Sequence, residues 1–354
     1  MPAPRASAAK FVRPAPATAC PPVTSYNPLS INSAPQQSLL AIFYVPILTL
    51  LVAALTVKHR PPKPYLEPHA GLLSPLGYTY SLVLFLIPTI SLGTWLFRIR
   101  RIHAHHWNAF WLTAAIVVPL WCMVDIFLGN TFFRFPNPHA TLDIFAPGYT
   151  FGVGWQRTIP IEEFFFYAFG CSSILLSYIW ATESWLAQYT MPEDIYLARA
   201  HSAKQLVVIH RPSIIIGVLL FAAAFAWKKL GWHEYHDGFP GYFLFELTMV
   251  FLPSAVLFRT VGPFINRPAF VYKTFALLLL SLVWEATLAL PYGWWGYHYP
   301  MMMGIVVRPW FDLPLEAVML WPAAAFMNIL LYEGIRICLH RGDRPLMELL
   351  FGSR

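Results

Sequence analysis

The sequence is short of charge. Asp, Glu, Lys and Arg make up 12% of its 354 residues, where a soluble domain carries about 25%. That deficit, with 57% hydrophobic residues and a mean hydropathy of +0.53, excludes an ordinary water-soluble protein and points to an all-α, polytopic membrane helix bundle. Cysteine is also scarce. Cys20, Cys122, Cys171 and Cys338 are scattered without CxxC spacing, so neither a zinc site nor a disulfide framework is expected. There is no GxGxxG and no GxxxxGK[ST], which removes a Rossmann cofactor site and a P-loop. No DDxxD-type cluster is present to hold a magnesium diphosphate, which disfavours ionisation of a prenyl diphosphate. No cofactor is expected. The net charge of +7 is spread through short loops, as in membrane-flanking Lys and Arg rather than a nucleic-acid patch.

Acid is missing altogether from residues 1–36, which are rich in Pro, Ala and Ser. This stretch reads as a disordered tail. Its composition also fits a transit peptide, although the Pro content argues against the amphipathic helix such a peptide needs. No signal-peptide apolar region opens it.

What is abundant is apolar sequence in lengths near the ~20 residues that span a bilayer. Eight runs are expected to span: 38–57, 76–97, 107–128, 160–181, 213–227, 241–258, 271–290 and 314–333. The fifth is short. Lys and Arg favour the tail, the 2–3, 4–5 and 6–7 loops and the C-terminus, which orients both termini to the cytoplasm. The chain then divides into a tail (1–36), a first four-helix repeat (37–190), a second (191–335) and a cytoplasmic tail (336–354). Fourteen Trp, 17 Tyr and 28 Phe exceed what lipid packing requires. Some form interfacial belts, and the rest are candidates to line an apolar cavity.

The repeat is read from two matching stretches. The first has Trp121 and Asp125 late in one span, a loop with Trp155 and Arg157, then Pro160-Ile161-Glu162-Glu163-Phe164-Phe165-Phe166. The second has Trp284-Glu285, a loop with Trp294, Trp295, Tyr297, Arg308 and Trp310, then Pro314-Leu315-Glu316-Ala317. The interval from carboxylate to Pro is 35 residues in the first and 29 in the second. Four helices per unit make the halves parallel, so both Pro-x-Glu ends fall on one side of the membrane. Ionisable residues inside a spanning segment face the protein interior and mark function. Asp125, Glu162, Glu285 and Glu316 are therefore expected to converge. Because Ala317 replaces the second acid, Glu162 is the favoured interior acid and Glu163 its less certain neighbour. A plain helix-start cap for the Glu residues, or pairing of Asp125 and Glu285 with Arg157 and Arg308, is the structural alternative.

His103-Ala104-His105-His106 lies beside Arg98, Arg100 and Arg101. No carboxylate is near it in sequence, and the second half has no counterpart. A solvated basic loop is expected there. His233, His236 and His298 are loop residues without ligand spacing.

The doubled Pro-x-Glu motif, preceded by an acid and a Trp-rich loop, resembles the lycopene cyclase domain family, the membrane-integral type of bacterial heterodimeric and fungal bifunctional carotenoid enzymes. The likeness covers roughly 76–335, and Ala317 departs from the motif. It implies non-redox cyclisation of a carotenoid or other isoprenoid end group, an intramolecular lyase or isomerase type of reaction. An acid protonates a terminal alkene, a ring closes on the cation, and a base removes a proton. Glu162 would be the acid, with Glu316 or Glu285 as partner or base and Asp125 and Glu163 nearby. Trp121, Trp155, Phe165, Trp284, Trp294, Trp295, Tyr297 and Trp310 would line the substrate site and stabilise the cation through their faces. The partners implied are a hydrophobic isoprenoid substrate, membrane lipid and other isoprenoid-pathway enzymes. Capture of the cation by water would make a hydratase instead. The alternative of another class is a proton-coupled transporter or lipid-binding membrane protein. The parallel repeat and the lack of matching Gly- or Pro-broken spans count against it.

Overall fold

Long apolar runs have one good option in a bilayer, since every backbone N–H and C=O must be paired internally. The computed structural model describes residues 74–100, 102–231, 235–342 and 345–352. Among these, seven helices are long and apolar enough to cross a membrane. They are α1 (Gly77–Arg98), α2 (Ala104–Phe132), α3 (Ile161–Trp185), α5 (Arg211–Leu230), α6 (Gly241–Phe264), α7 (Arg267–Ala289) and α8 (Leu315–His340). They match the second to eighth expected spans. The short fifth one lengthens to a full crossing. The tail, the expected span 38–57, Cys20 and His233 lie outside the described residues. A shorter helix, α4 (Glu193–Ser202), follows α3. Another, α9 (Leu346–Phe351), follows α8. α8 continues past residue 336, and Arg336 and Ile337 are buried on it rather than in a tail. Pro88 and Pro253 lie inside α1 and α6 without ending either helix.

The lipid-facing surface is apolar, as in Ile214, Ile215, Ile216 and Val218 on α5. Lipid tails are as apolar as these side chains, so packing and hydrogen bonds must hold the helices together. An aromatic cluster does much of this. Phe85 of α1 stacks on Trp321 of α8 at 5.6 Å and meets Trp284 of α7 edge-on at 5.2 Å. Phe166 of α3 meets Trp321 edge-on at 5.3 Å. Each such pair contributes about 0.5–1.5 kcal/mol beyond its burial.

The two halves repeat down to single backbone hydrogen bonds. α2 and α7 both end in a wide π-helical turn that begins at the carboxylate, Asp125–Gly129 and Glu285–Ala289. A hairpin follows each: β2 (Phe145–Thr150) with β3 (Gly154–Pro160), and β5 (Val306–Val307) with β6 (Leu313–Pro314). Pro160 and Pro314 then cap α3 and α8 with nearly the same φ and ψ, −61° and 143° against −60° and 144°. Ile161 N–H donates to the Ile144 carbonyl at 2.9 Å, and Leu315 N–H to the Ile305 carbonyl at 2.9 Å. Leu76 N–H donates to His139, and Phe239 N–H to Pro300, both at 2.8 Å. β1 (Phe133–Arg134) pairs antiparallel with β4 (Gly296–Tyr297) and joins one half to the other. Both helix-start ends therefore sit on one side of the bundle.

Candidate active site

Six helix ends, of α1, α2, α3, α6, α7 and α8, converge beneath the β1–β4 junction around a cavity of about 70 Å³. Three carboxyl groups line it: Asp125 from α2, Glu163 from α3 and Glu285 from α7. The remaining wall is largely aromatic and includes Tyr78, Trp121, Phe166, Tyr167, Tyr242, Trp284, Trp295, Tyr297 and Trp321. Gly129, one turn beyond Asp125, completes it. A Cβ there would lie 2.3 Å from Asp125 Oδ1, so the wall has no room for a side chain at that position.

Glu163 and Glu285 have aromatic hydrogen-bond partners. Tyr78 Oη donates to Glu163 Oε1 at 2.6 Å. Tyr167 is an electrostatic neighbour of both Asp125 and Glu163, and Asp125 Oδ2 has no hydrogen-bond partner among the described residues. Tyr297 Oη donates to Glu285 Oε2, and Trp321 Nε1 donates to Glu285 Oε1 at 3.3 Å. Tyr167 and Trp321 occupy the same place in the two halves, five residues after Glu162 and Glu316. Burial, then the Glu285 charge, pushes the Tyr297 phenol well above its ordinary value. It therefore stays protonated and donating.

The expected choice between the adjacent acids is reversed. Glu162 is fully buried but does not line the cavity; it accepts from Thr79 Oγ1 at 2.6 Å and from Leu142 N–H at 2.7 Å. Glu316 repeats this role by accepting from Met303 N–H, with buried Lys228 as an electrostatic neighbour. Leu142 and Met303 each lie three residues before their hairpin. The repeated Glu is thus the clasp that ties each loop to its helix start. Neither Glu162 nor Glu316 is the solvated helix-start cap of the structural alternative: both are buried, and their partners Thr79, Leu142 and Met303 lie on other segments. Glu163, a helix position about 100° further round, faces the cavity. Arg157 and Arg308 are exposed and line no part of it, so neither serves as counter-ion to the cavity carboxyls.

Of the aromatics expected at the site, Trp121, Trp284, Trp295 and Tyr297 line the cavity. Trp294 is buried one layer behind, stacked on Tyr78 at 6.3 Å. Trp155 is exposed on its hairpin against Phe127 and Tyr149, and Phe165 is exposed on the outer face of α3. Trp310 packs on the core without reaching the cavity. An exposed ring on a spanning helix or hairpin tip is in contact with lipid or the interface, which is where most aromatics of a membrane protein belong.

Several cavity residues were not anticipated. Tyr78 and Tyr242 begin α1 and α6 from Gly77-Tyr78 and Gly241-Tyr242, a repeated dipeptide that was visible in the sequence. Glu246, one turn beyond Tyr242, is buried with neither carboxyl oxygen hydrogen-bonded among the described residues. Its electrostatic neighbours are Glu316 and Glu285. An acid inside the apolar run 241–258 was its signal. Compared with known proteins, the chain matches no family model, no curated protein and no solved structure.

Proposed function

We propose that this protein is a membrane-embedded, acid-catalysed cyclase of isoprenoid end groups, with both termini in the cytoplasm. The observation that carries the reading is the Asp125–Tyr167–Glu163 arrangement in an aromatic cavity. The two carboxyls share one largely aromatic cavity with Tyr167. Like charges so placed cannot both ionise without large cost, so one of the two keeps a proton. That proton neutralises the pair where no Lys or Arg among the described lining residues does so, and it is the one delivered to substrate. Glu163 is the donor and Asp125 its proton partner.

The reaction needs no redox partner. The proton adds to the less substituted carbon of a terminal trisubstituted alkene and leaves a tertiary cation. A neighbouring double bond attacks it, one C–C bond forms, and a six-membered ring closes. A proton then leaves the adjacent carbon. Glu285 has both oxygens accepting, from Tyr297 and Trp321, which favours its ionised form, and it serves as the base. Trp284, Trp295 and Trp321 line the cavity, and ring faces stabilise a passing cation while the apolar walls exclude the water that would quench it. Product and substrate are isomers. A benzene-sized guest needs a cavity of about 150 Å³, so ring closure here requires the aromatic walls to swing aside from their resting positions.

Expression in a lycopene-producing host, with analysis of all isoprenoids, tests the reading. New cyclic isomers are expected, and they should vanish with Glu163→Gln. Products heavier by one water would make the enzyme a hydratase. Unchanged isoprenoids with proton-coupled uptake in vesicles would favour a transporter.

A further inference from the structure

At the opposite end of the bundle, three metal-ligating side chains from three helices meet. His105 comes from the first turn of α2, Glu193 from the first turn of α4, and His340 from the last turn of α8. One ligand atom of each lies within 4.8 Å of the others. The two imidazole rings are 4.5 Å apart, and both Nε2 atoms are buried without a hydrogen-bond partner among the described residues. His340 Nε2 is 3.8 Å from Glu193 Oε1, too long for a hydrogen bond. Two lone-pair donors aimed at one carboxylate, and satisfied by none of it, are arranged for an ion rather than for each other.

We propose that His105, Glu193 and His340 bind one divalent transition-metal ion of the zinc class. Two imidazoles and a carboxylate suit Zn²⁺, and the same set with open positions suits Fe²⁺. Ligands of tetrahedral zinc sit about 3.3 Å from one another, given metal–ligand bonds of about 2.0–2.2 Å. The exposed Glu193 side chain closes that gap by rotation. Its second oxygen is already oriented by Arg336 at 3.5 Å, which itself lies 3.7 Å from Glu333. This is the outer support that metal-bound carboxylates have. The neighbouring histidines are excluded by their own contacts. His106 Nδ1 bonds Tyr332 Oη at 2.6 Å, and its Nε2 lies 3.4 Å from Glu183. His103 is exposed and only stacks on His105. Among the histidines of the 103–106 run, only His105 has a nitrogen to offer inward.

The ion is remote from the cavity. His105 precedes Asp125 by twenty residues of one helix, about 30 Å at 1.5 Å per residue. Its role is to pin α4 onto the ends of α2 and α8, with a fourth position left to solvent beside exposed Glu193.

The test uses the untagged full-length chain in detergent, loaded with Zn²⁺, dialysed and analysed for metal. About one Zn²⁺ per chain is expected, bound at least about tenfold more weakly in His105→Gln, Glu193→Gln and His340→Gln, since even outer-shell changes cost that much. His103→Ala and His236→Ala should bind as the parent does. Zinc raises the parent's thermal midpoint and does not raise that of His105→Gln. Should the ligand variants misfold, a Co²⁺ titration of the parent decides. A visible absorption band saturating at one equivalent and bleached by Zn²⁺ supports the site, and its absence overturns it. Loss of binding in His103→Ala equal to that in His105→Gln also overturns it, because the ion would then sit on the exposed run.

Discussion

Glu162 and Glu163 differ by one helix position, and that rotation of about 100° separates a clasp from a chemical group. The clasp is repeated because each half must anchor its own loop to its own helix start. The cavity acid is not repeated, and Ala317 takes its place in the second half. Reading the repeat as a guide to the interior acid favoured Glu162, whereas Glu163 lines the cavity: repetition reported what the fold needs twice. A prediction separates the roles. Glu163→Gln should lower product formed per folded molecule by at least about 100-fold, the usual worth of a general acid. Glu162→Gln and Glu316→Gln should cost about 1–3 kcal/mol of stability through weakened charged hydrogen bonds. They should leave turnover per folded molecule within about threefold. Thermal melts in detergent beside product analysis of the same preparations give both quantities. Equal losses of turnover in Glu162→Gln and Glu163→Gln would remove the distinction.

Among elements, the spans and several of their starts were legible, and the turns and hairpins joining them were not. A run of about 20 apolar residues has little choice but to cross as a helix, so seven described spans fall where expected. The π-helical turns at Asp125 and Glu285, and the hairpins before Pro160 and Pro314, depend on contacts between segments and left no local pattern. The β1–β4 junction is the clearest case, because its two strands are short and lie in different halves. His298 sits beside it, donating from Nδ1 to the Thr131 carbonyl at 3.1 Å and accepting from Arg134 through Nε2. Burial, then the Arg134 charge, lowers the His298 pKa from its ordinary value. The unfolded chain takes up this proton near pH 6.5, whereas the folded ring resists it. The junction is thus fully stable above that pH and weakens as pH falls below it. Amide exchange at Phe133–Phe135 and Gly296–His298, corrected for intrinsic rates, should quicken between pH 7 and pH 5. Replacing His298 by Asn should flatten that dependence, and an unchanged slope would show that another group sets it.

At the scale of the molecule, neither half contains a complete site. Asp125 and Glu163 come from one and Glu285, Tyr297 and Trp321 from the other, joined through β1 and β4. Expressed alone, residues 1–203 or 204–354 should give no cyclic product, while the two pieces together should restore it. The cut keeps Leu206 and Val207 with their partners Leu349 and Leu350. Product analysis of the three strains is the measurement, and activity from a single piece would mean that one half suffices. The sequence by itself determined the membrane class, the positions of the described spans and the repeated carboxylate–loop–Pro-x-Glu pattern. Each of these is written in hydropathy and in motif spacing along the chain, where the bilayer's demand for paired backbone leaves one solution. Only the tertiary structure decided which of two adjacent acids faces the cavity. It alone placed Tyr167 beside Asp125 and Glu163, and brought His105 to Glu193 and His340. Those outcomes depend on helix rotation and on contacts between residues far apart in the chain, which local pattern does not encode.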